Sequence, residues 1–391
     1  MPLSLPPAIE PYVWPLVYGM VLLLLFPPLA GYIVLMERKV MADIQARLGP
    51  MRVGPHGLLQ PIADAVKLLL KEDIIPALVD KWVFWLAPII STVTALVALF
   101  LVPMSDKLPV PDTNIGILFI LSITSVGILG IILGGWSSNS HYPLLGALRS
   151  TAQLVSYEVA LGFSIVGGLM VAGTLNMKEM VLEQYNQGVW FVFYQPVAFV
   201  IYYIAALAET NRAPFDMPEA ESEIVAGYHT EYSGFRWSLY FLAEYANMVI
   251  VCAIATSLFL GGWLRPFPNV QALNFLDYTP VVTFVGLGAF CLLGAAREQR
   301  ERRVEKLGMA GFGGLLILAG LAFALPPVLE AAGGVFWFLV KVVLGLYTFI
   351  WIRFTLPRYR YDQLMRIGWR WLIPLAIANV IITGIVMQLT A

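Results

Sequence analysis

Carboxylates are concentrated in one short stretch of an otherwise apolar chain. The segment 208–245 joins two long apolar runs, and only Arg212 and Arg236 oppose its acidic residues. These acidic residues are Glu209, Asp216, Glu219, Glu221, Glu223, Glu231 and Glu244. Neighbouring carboxylates that are shielded from water can exchange protons near neutral pH, so a proton relay is one interpretation. A solvated acidic loop is the alternative, and composition alone favours it.

Other ionisable residues lie inside the apolar runs: Glu37 ends the first predicted membrane span, Glu158 lies in the fourth and Lys341 in the ninth. A charge at this depth is costly, so it marks a pathway or forms a pair that fixes packing. Glu158 and Glu244 each lie about six residues, or about 9 Å, from the same end of their spans. Glu37 and Glu209 lie at that edge too, so the sequence predicts one layer of four carboxylates. Lys341 could end this path, pair with a glutamate or extend to the outer interface.

Membrane-spanning helices must position these residues. The 391-residue chain is 59% hydrophobic and 13% charged, with a mean hydropathy of +0.78, which is typical of a polytopic membrane protein. A hydrocarbon core about 30 Å thick needs about 20 apolar residues in a helix. The sequence therefore predicts an all-α bundle of ten spans. The predicted spans are 12–36, 81–103, 114–136, 152–173, 189–209, 238–262, 279–296, 309–328, 335–354 and 369–388.

Basic residues predict the orientation of these spans. Lysine and arginine collect in alternate connections, and the opposite connections contain only Lys107, Lys178 and Arg265. Basic connections remain on the cytoplasmic side of a membrane. Both termini are therefore expected outside, and the acidic connection 210–237 is expected in the cytoplasm or an organelle's inner compartment.

One cytoplasmic segment, 57–72, has the pattern of an amphipathic helix rather than a span. Its polar side carries Asp64, Lys67 and Lys71. Its apolar stripe consists of Leu58, Leu59, Ile62, Val66, Leu69 and Leu70. Such a helix lies on the membrane surface or covers a groove. A surface helix with no role in a site is the alternative.

The sequence shows no redox centre of its own. Cys252 and Cys291 lie in separate apolar runs, and the three histidines lie in connections. The chain has no phosphate-binding glycine loop, no CxxC motif and no histidine pair inside the spans. We therefore expect no metal, nucleotide, iron–sulfur cluster or haem on this chain, and no nucleic-acid partner.

Three motifs carry a family resemblance. They are ERK at 37–39 with RLGPMRVGP at 47–55 and QPIADAVKL at 60–68, then AETNRAPFDMPEAESE at 208–223, then PRYRYDQLM at 357–365. Together they resemble the heel subunit of respiratory complex I, the proton-pumping NADH:quinone oxidoreductase (the H-type subunit in bacteria, subunit 1 in mitochondria). The resemblance covers about 1–263 and 334–391, with the three motifs in the family's order.

The resemblance implies two groups of site residues. One group would line the quinone tunnel or its entrance: Glu37, Arg38, Arg47, Asp64, Arg212, Phe215, Arg360 and Asp362. The other would form the proton path and the loop that couples it to the quinone cavity: Glu158, Glu209, Glu244, Asp216, Glu219, Glu221, Glu223, Glu231 and Lys341. The hypothesis is that quinone reduction alters the protonation of the loop, and that the buried carboxylates relay this change sideways.

The resemblance also implies partners and a location. The chain would bind no cofactor, with quinone as its substrate and with FMN and iron–sulfur clusters in partner subunits. Those partners would be hydrophilic subunits at the quinone site, small membrane subunits and antiporter-like subunits. The chain would be a single integral membrane domain, residues 1–391, of the bacterial inner membrane, with both termini periplasmic.

The segment 264–333 departs from the family pattern. The family has eight spans, and this segment adds two, with a basic turn at 297–306 between them. Two added spans preserve the side of the C-terminal part, which agrees with the distribution of basic residues. We expect the added spans to pack at the periphery, against lipid or a neighbouring subunit.

Other functions remain open at this point. The equivalent subunit of a membrane-bound hydrogenase or ferredoxin-linked complex is the main alternative, although the motifs around Arg38 and Asp64 favour a quinone-using complex. A self-contained secondary transporter would have internal repeats and sites at the membrane midplane, and the sequence shows no repeat. A purely structural anchor would tolerate neutral residues at the intramembrane glutamates.

Overall fold

The chain folds into a bundle of α-helices. The structure, a computed structural model, describes residues 10–111, 113–217, 225–297 and 303–390. These residues form helices, turns and irregular connections, and they contain no strand. Within these ranges nine helices are long and apolar enough to cross a membrane, and one apolar helix of 14 residues is shorter. The predicted fold class, an all-α polytopic membrane bundle, is therefore confirmed.

The helices of the described ranges are labelled in chain order. They are α1 (Glu10–Ile44), α2 (Gln60–Leu70), α3 (Lys81–Phe100), α4 (Gly116–Ser137), α5 (His141–Ala172), α6 (Met177–Gln187), α7 (Phe191–Tyr194), α8 (Pro196–Glu209), α9 (Gly234–Phe259), α10 (Thr279–Arg297), α11 (Arg303–Phe323), α12 (Pro326–Thr355), α13 (Tyr361–Arg366) and α14 (Ile373–Thr390). A π-helical turn at Ile367–Leu372 joins α13 to α14, and 3₁₀ turns occur at Pro55–Gly57, Gly227–His229 and Gln271–Tyr278.

Several predicted boundaries differ from those of the helices. α5 begins at His141 rather than at 152, so it extends about three turns beyond its apolar run. The fifth span divides at Gln195 into α7 and α8, because Pro196 favours the first position of a helix. The predicted gap between the eighth and ninth spans, at 329–334, is wrong. The chain is extended at Leu325 instead, and α12 begins at Pro326. α6 was not predicted, because its polar sequence lacks an apolar run.

One helix forms the centre of the bundle. In the most apolar stretch of α9, 78% of the residues are buried, whereas the corresponding value for α11 is 11%. α9 packs against α3, α12 and α8, and it also contacts α1 and α2. A helix that is apolar on all sides is expected at such a position, and α9 therefore sets the positions of the elements around it.

Three connections lie together at one end of the bundle, which we call the loop end: 45–59, the described residues 210–217 and 225–233 of the acidic connection, and 356–360. Their helices end at the same level, because Glu37 near the end of α1 contacts both Arg212 after α8 and Arg353 in the last turn of α12. The backbone amide of Tyr359 donates to the carbonyl oxygen of Pro214 at 3.1 Å. The second and third sequence motifs thus meet at the loop end.

The predicted insertion contains the helical hairpin of α10 and α11. A Cβ atom built on Gly288 would lie 2.7 Å from the carbonyl oxygen of Gly313, and one on Gly313 would lie 2.9 Å from that of Gly288. The two backbones approach closely because neither residue has a side chain. The hairpin packs on α12, and Gly308 of α11 lies against Pro55 at the loop end.

Candidate functional site: an acidic cavity connected to an open chamber

A small polar cavity lies among α3, α4, α5, α8 and α9. It encloses about 50 Å³, and three carboxylates line it, those of Glu158, Glu209 and Glu244. The hydroxyl of Ser125 donates to the carboxylate of Glu158, and Asn247 also faces the cavity. This volume holds roughly three to five water molecules at about 10–15 Å³ each. Carboxylates around a cavity that holds a few water molecules can pass protons through hydrogen-bonded water.

Glu209 has a buried carboxylate oxygen, Oε2, that faces this cavity without a protein partner among the described residues. A buried oxygen without a partner costs about 1–3 kcal/mol, more when it is charged, unless water or a proton satisfies it. The lining of the cavity therefore favours a carboxyl group that binds water or a proton at this position.

Arg212 connects this cavity to Glu37. Its Nε atom lies 3.0 Å from Oε1 of Glu244, and its Nη1 atom lies 3.6 Å from Oε1 of Glu37. The guanidinium carbon lies 4.6 Å from the ring centre of Tyr245, whose hydroxyl donates to Oε2 of Glu37 at 2.5 Å. Arg353 also donates to Glu37. Since Arg212 is only 4% exposed, these charges interact in surroundings from which most water is excluded.

A large chamber lies on the other side of this ion-pair chain, at the loop end. It has a volume of about 900 Å³. Its described lining contains Val34, Glu37, Arg38, Arg212, Asp216, Ala226, His229, Trp237, Phe241, Tyr245, Arg353 and Arg358. Four of these residues are arginines and two are acidic, and aromatic rings occupy the side toward α9. The chamber can therefore accept a ring-shaped, hydrogen-bonding ligand with an apolar body.

An apolar groove of about 510 Å³ continues from the chamber between α1, α2 and α9. The groove and the chamber share Val34, Arg38, Trp237 and Phe241 in their linings. Arg38 marks the junction, since its Nη1 atom donates to Oδ2 of Asp64 on α2 at 2.7 Å. The two spaces thus form one path that is apolar at the groove and polar at the chamber.

The first part of the acidic connection has a defined conformation. Nε2 of Gln153, a fully buried residue on α5, donates to the carbonyl oxygens of Ala208 and Phe215, both at 2.7 Å. Asn211 adopts a left-handed conformation with φ of 51°, which asparagine tolerates better than most residues. The ring of Phe215 lies between Tyr157 and Tyr359, with its centre 5.7 Å from each. The connection is thus attached to α5 as far as Phe215.

His229 lines the chamber in a neutral state. Burial lowers its pKa from 6.5 to about 4, and nearby Asp216 opposes this shift only in part. The imidazole is therefore uncharged near neutral pH and can donate or accept one hydrogen bond there. It contributes a neutral polar group to a chamber whose other polar groups are mostly charged.

The structure brings together many of the residues that the sequence singled out. Of the four carboxylates predicted to form one layer, those of Glu158, Glu209 and Glu244 line one cavity. Arg212 contacts both Glu244 and the fourth, Glu37. The described members of the predicted tunnel and path that line the chamber or groove are Glu37, Arg38, Asp64, Arg212 and Asp216. Glu219, Glu221 and Glu223 lie outside the described residues.

Other predicted site residues lie elsewhere. Arg47 is exposed beyond α1 and donates to Gln45, and Arg360 and Asp362 are exposed at the start of α13. Phe215 is buried beneath the chamber rather than in its lining. Glu231 is partly buried just before α9, and it lines neither the cavity nor the chamber.

Lys341 of α12 lies away from the acidic cavity, beside residues 260–264 after the C-terminal end of α9. Its Nζ atom donates to the carbonyl oxygens of Leu260, Gly262 and Leu264 at 2.6, 2.9 and 2.6 Å. It also lies 4.6 Å from the ring centre of Trp190. Carbonyl oxygens at a helix C-terminus favour a cation, so this ammonium caps the C-terminal end of α9.

Sequence analysis singled out four of the twelve described lining residues of the chamber and missed the other eight. Those eight are Val34, Ala226, His229, Trp237, Phe241, Tyr245, Arg353 and Arg358. A signal existed for Arg353, since it lies inside the predicted ninth span, where a cation should have been questioned in the same way as Lys341. The aromatic residues carried no such signal, because aromatic residues are common along every span.

The described part of the chain contains no group of three or more histidine, cysteine, aspartate or glutamate residues that could hold a metal ion. Cys252 is buried and Cys291 is partly exposed, and they lie on different helices, α9 and α10. The charged groups that line the cavity and the chamber are carboxylates and guanidinium groups, and aromatic rings lie beside them.

Several known proteins are similar to this chain over most of its length. A family described as NADH dehydrogenase matches residues 17–384. An H-type subunit of the NADH-quinone oxidoreductase of Solibacter usitatus is 57% identical over 388 residues, which cover 97% of this chain and 98% of that protein. The corresponding protein of Koribacter versatilis is 51% identical, covering 90% of this chain and 86% of that protein, and one from Geobacter metallireducens is 41% identical, covering 92% and 91%. This multi-pass membrane chain belongs to the family of the H-type subunit (mitochondrial subunit 1) of complex I, the NADH:quinone oxidoreductase.

Proposed function

We propose that this chain forms the membrane part of the quinone tunnel and couples quinone reduction to proton translocation. The observation that carries this proposal is the position of Arg212. One guanidinium contacts Glu37 in the chamber and Glu244 in the acidic cavity. A change of charge in the chamber would therefore act directly on a carboxylate of the cavity.

The path for quinone begins at the apolar groove between α1, α2 and α9. A quinone dissolved in the bilayer enters there, since the groove lining is largely apolar and both α1 and α9 are membrane helices. Its ring passes Arg38 and Asp64 and reaches the chamber. The head group is reduced beyond the chamber, in the hydrophilic partner subunits that hold FMN and the iron–sulfur clusters.

The path for coupling begins at the chamber. Reduction of the quinone beyond the chamber consumes protons, and in this proposal the chamber carboxylates Asp216 and Glu37 respond by changing their protonation. Arg212 then redistributes its interaction between Glu37 and Glu244, because a cation shared by two carboxylates responds to the charge of each. Protons move among Glu244, Glu209 and Glu158 through the water of the cavity. The cavity passes the change to the small membrane subunits and the antiporter-like subunits.

The same proposal sets the orientation. The loop end faces the cytoplasm and both termini face the periplasm of a bacterial inner membrane, because the basic connections lie at the loop end. Glu219, Glu221 and Glu223 lie outside the described residues, and in this proposal they belong to the loop that couples the quinone cavity to the proton path.

Replacement of the cavity carboxylates in the assembled complex tests the coupling. In vesicles, Glu158→Gln and Glu209→Gln should each lower proton pumping more than NADH oxidation by a soluble artificial acceptor, since the latter does not use this chain. If quinone reduction and pumping both survived both substitutions unchanged, the relay would be wrong.

A bulky residue in the groove tests the tunnel. Ser238 lines the groove, and its hydroxyl bonds only to the carbonyl oxygen of Phe235 among the described residues. Ser238→Trp should therefore fill the groove and lower the rate with a long-tailed quinone. Ser122→Trp on α4 is the matched control, because Ser122 is exposed and likewise bonds to a carbonyl oxygen of its own helix, that of Leu118. Equal rates in the two variants would contradict passage through the groove.

A further inference from the structure

The helix that covers the groove, α2, is weakly anchored by its own side chains. None of its residues is buried. Asp64 binds Arg38 of α1, but both side chains are about a third exposed or more. A helix with so little buried surface is positioned mainly by what holds its two ends. The C-terminal end of α2 leads into a connection that contacts the start of α9, so this end helps to set the distance between the two helices.

The connection after α2 is bonded to the start of α9. The backbone amide of Ile74 donates to the hydroxyl oxygen of Ser233 at 2.9 Å, and that hydroxyl donates to the carbonyl oxygen of Glu72 at 3.4 Å. Gly234 has a φ of +55°, and a Cβ atom on it would lie 3.1 Å from the carbonyl oxygen of Lys71. A residue with a side chain would be strained there, so the close approach depends on glycine.

Arg236 reinforces this contact with a buried charge. Its side chain is 4% exposed, and its Nη2 atom lies 3.0 Å from Oδ2 of Asp73. The guanidinium carbon lies 4.0 Å from the ring centre of Trp85 and 5.4 Å from that of Phe84, both on α3. Its Nε and Nη1 atoms have no hydrogen-bond partner in the part of the chain that the structure describes. Among the described residues, Asp73 thus supplies the directional bond, and the rings of α3 fix the plane of the guanidinium.

This contact lies beside the walls of the groove. Trp237 and Ser238 follow Arg236 on α9 and line the groove on one side. Leu69, four residues before Asp73, lines it on the side of α2. A change at the Arg236–Asp73 pair would therefore move one wall relative to the other, while the chamber residues Glu37 and Arg212 lie on other elements.

We propose that Arg236 and Asp73 are positioning residues that set the width of the groove and so control how readily a long-tailed, lipid-dissolved quinone passes through it. This inference rests on the proposed function, in which the groove is the quinone entrance. The pair does not touch the substrate. It acts through α2, whose apolar side forms the movable wall.

Kinetics of the assembled complex in lipid vesicles test this inference. Asp73→Asn removes the charge at a side chain that is 31% exposed, so the chain should still assemble. Loss of the charged hydrogen bond should make the present width of the groove about tenfold less populated, so the KM for a long-tailed quinone should change by about tenfold, with kcat unchanged. The KM for a short-tailed analogue should change much less, because a short tail clears the groove quickly. Asp73→Glu should restore most of the difference.

The control is Asp80→Asn, which removes the same charge a few residues away. Asp80 is exposed, and it has no ion pair or side-chain hydrogen bond among the described residues. It should leave both KM values unchanged. A second variant, Arg236→Gln combined with Asp73→Asn, should resemble the more affected single variant, because both remove the same bond.

Three outcomes would overturn the inference: equal KM changes for the two quinones, a fall in kcat at constant KM, or no change at all. The Ser238→Trp variant separates this failure from a failure of the proposed function. If Ser238→Trp slows the long-tailed quinone while Asp73→Asn does not, the groove is the entrance and the positioning role is wrong. If Ser238→Trp has no effect, the entrance itself is wrong.

Discussion

Removal of the Arg212 guanidinium should release the first part of the acidic connection. The Arg212 side chain is buried, and it contacts Glu37 on α1 and Glu244 on α9. Arg212→Gln keeps a polar side chain but leaves the carboxylate of Glu244 without this cation. The connection 210–217 would then lose its charged attachment to both helices and keep the attachment to Gln153.

The size of the effect follows from burial. Removing one partner of a buried ion pair costs about 3–5 kcal/mol. Glu37 keeps its contacts with Arg353 and Tyr245, so we expect the lower end of this range, about 3 kcal/mol. At about 1.4 kcal/mol for each factor of ten, local opening of the connection should become roughly a hundredfold more frequent.

Hydrogen–deuterium exchange on the assembled complex measures this opening without unfolding the bundle. The amides of Asn211, Phe215 and Met217 report directly, since each donates to a backbone carbonyl within the connection or at the end of α8. Their exchange should be roughly a hundredfold faster in Arg212→Gln. Arg366→Gln, at an exposed arginine of α13, is the control and should leave these amides unchanged.

A double-mutant cycle with Glu244→Gln completes the test. Because the two residues share one contact, the double variant should open less than the sum of the single effects predicts. Exchange less than about threefold faster in Arg212→Gln, or strictly additive effects in the cycle, would refute the claim that this ion pair holds the connection.

Three further changes have distinct outcomes. Gln153→Leu removes two bonds of 2.7 Å, so exchange in the 208–217 peptide should rise by about tenfold or more with quinone binding in the chamber retained. His229 binds fewer protons when folded, since its pKa is about 4 rather than 6.5. The 225–233 segment should therefore lose up to about 3 kcal/mol of stability as pH falls from 6.5 to 4, measured by limited proteolysis, and His229→Gln should abolish this dependence. Lys341→Met leaves three carbonyl oxygens without their donor, so the yield of assembled complex should fall at an unchanged proton-to-electron ratio; a lower ratio would instead place Lys341 in the proton path.

The sequence predicted the spans because bilayer thickness imposes a length on apolar helices. It predicted the carboxylate layer for a related reason, since an ionisable residue inside an apolar run is rare enough to be noticed. Counting from the predicted span ends placed Glu158 and Glu244 at one depth, but their helices begin 17 residues before Glu158 and 10 residues before Glu244, so the count was wrong for α5. The two residues nevertheless line one cavity. No sequence pattern indicated that α5, α8 and α9 are neighbours. Because they are, their carboxylates face one common cavity.

The missed features depend on tertiary contacts. The chamber's aromatic side consists of residues that any membrane helix contains, so Tyr245 became notable only through its hydroxyl bond to Glu37. The pair of Arg236 and Asp73 joins residues distant in sequence, and no local pattern connects them. Lys341 was singled out for its depth alone, and depth does not distinguish a helix cap from a proton carrier.

The most direct test of the coupling is the number of protons pumped per quinone reduced in Glu209→Gln. Glutamine has the shape of glutamate but cannot carry the exchanged proton, and Glu209 lines the cavity with a buried oxygen that has no partner among the described residues. Glu330→Gln, whose side chain is 74% exposed near the N-terminal end of α12, is the matched control. We predict a lower ratio in Glu209→Gln and a wild-type ratio in the control, both measured in vesicles at equal rates of quinone reduction. A wild-type ratio in Glu209→Gln would contradict the account.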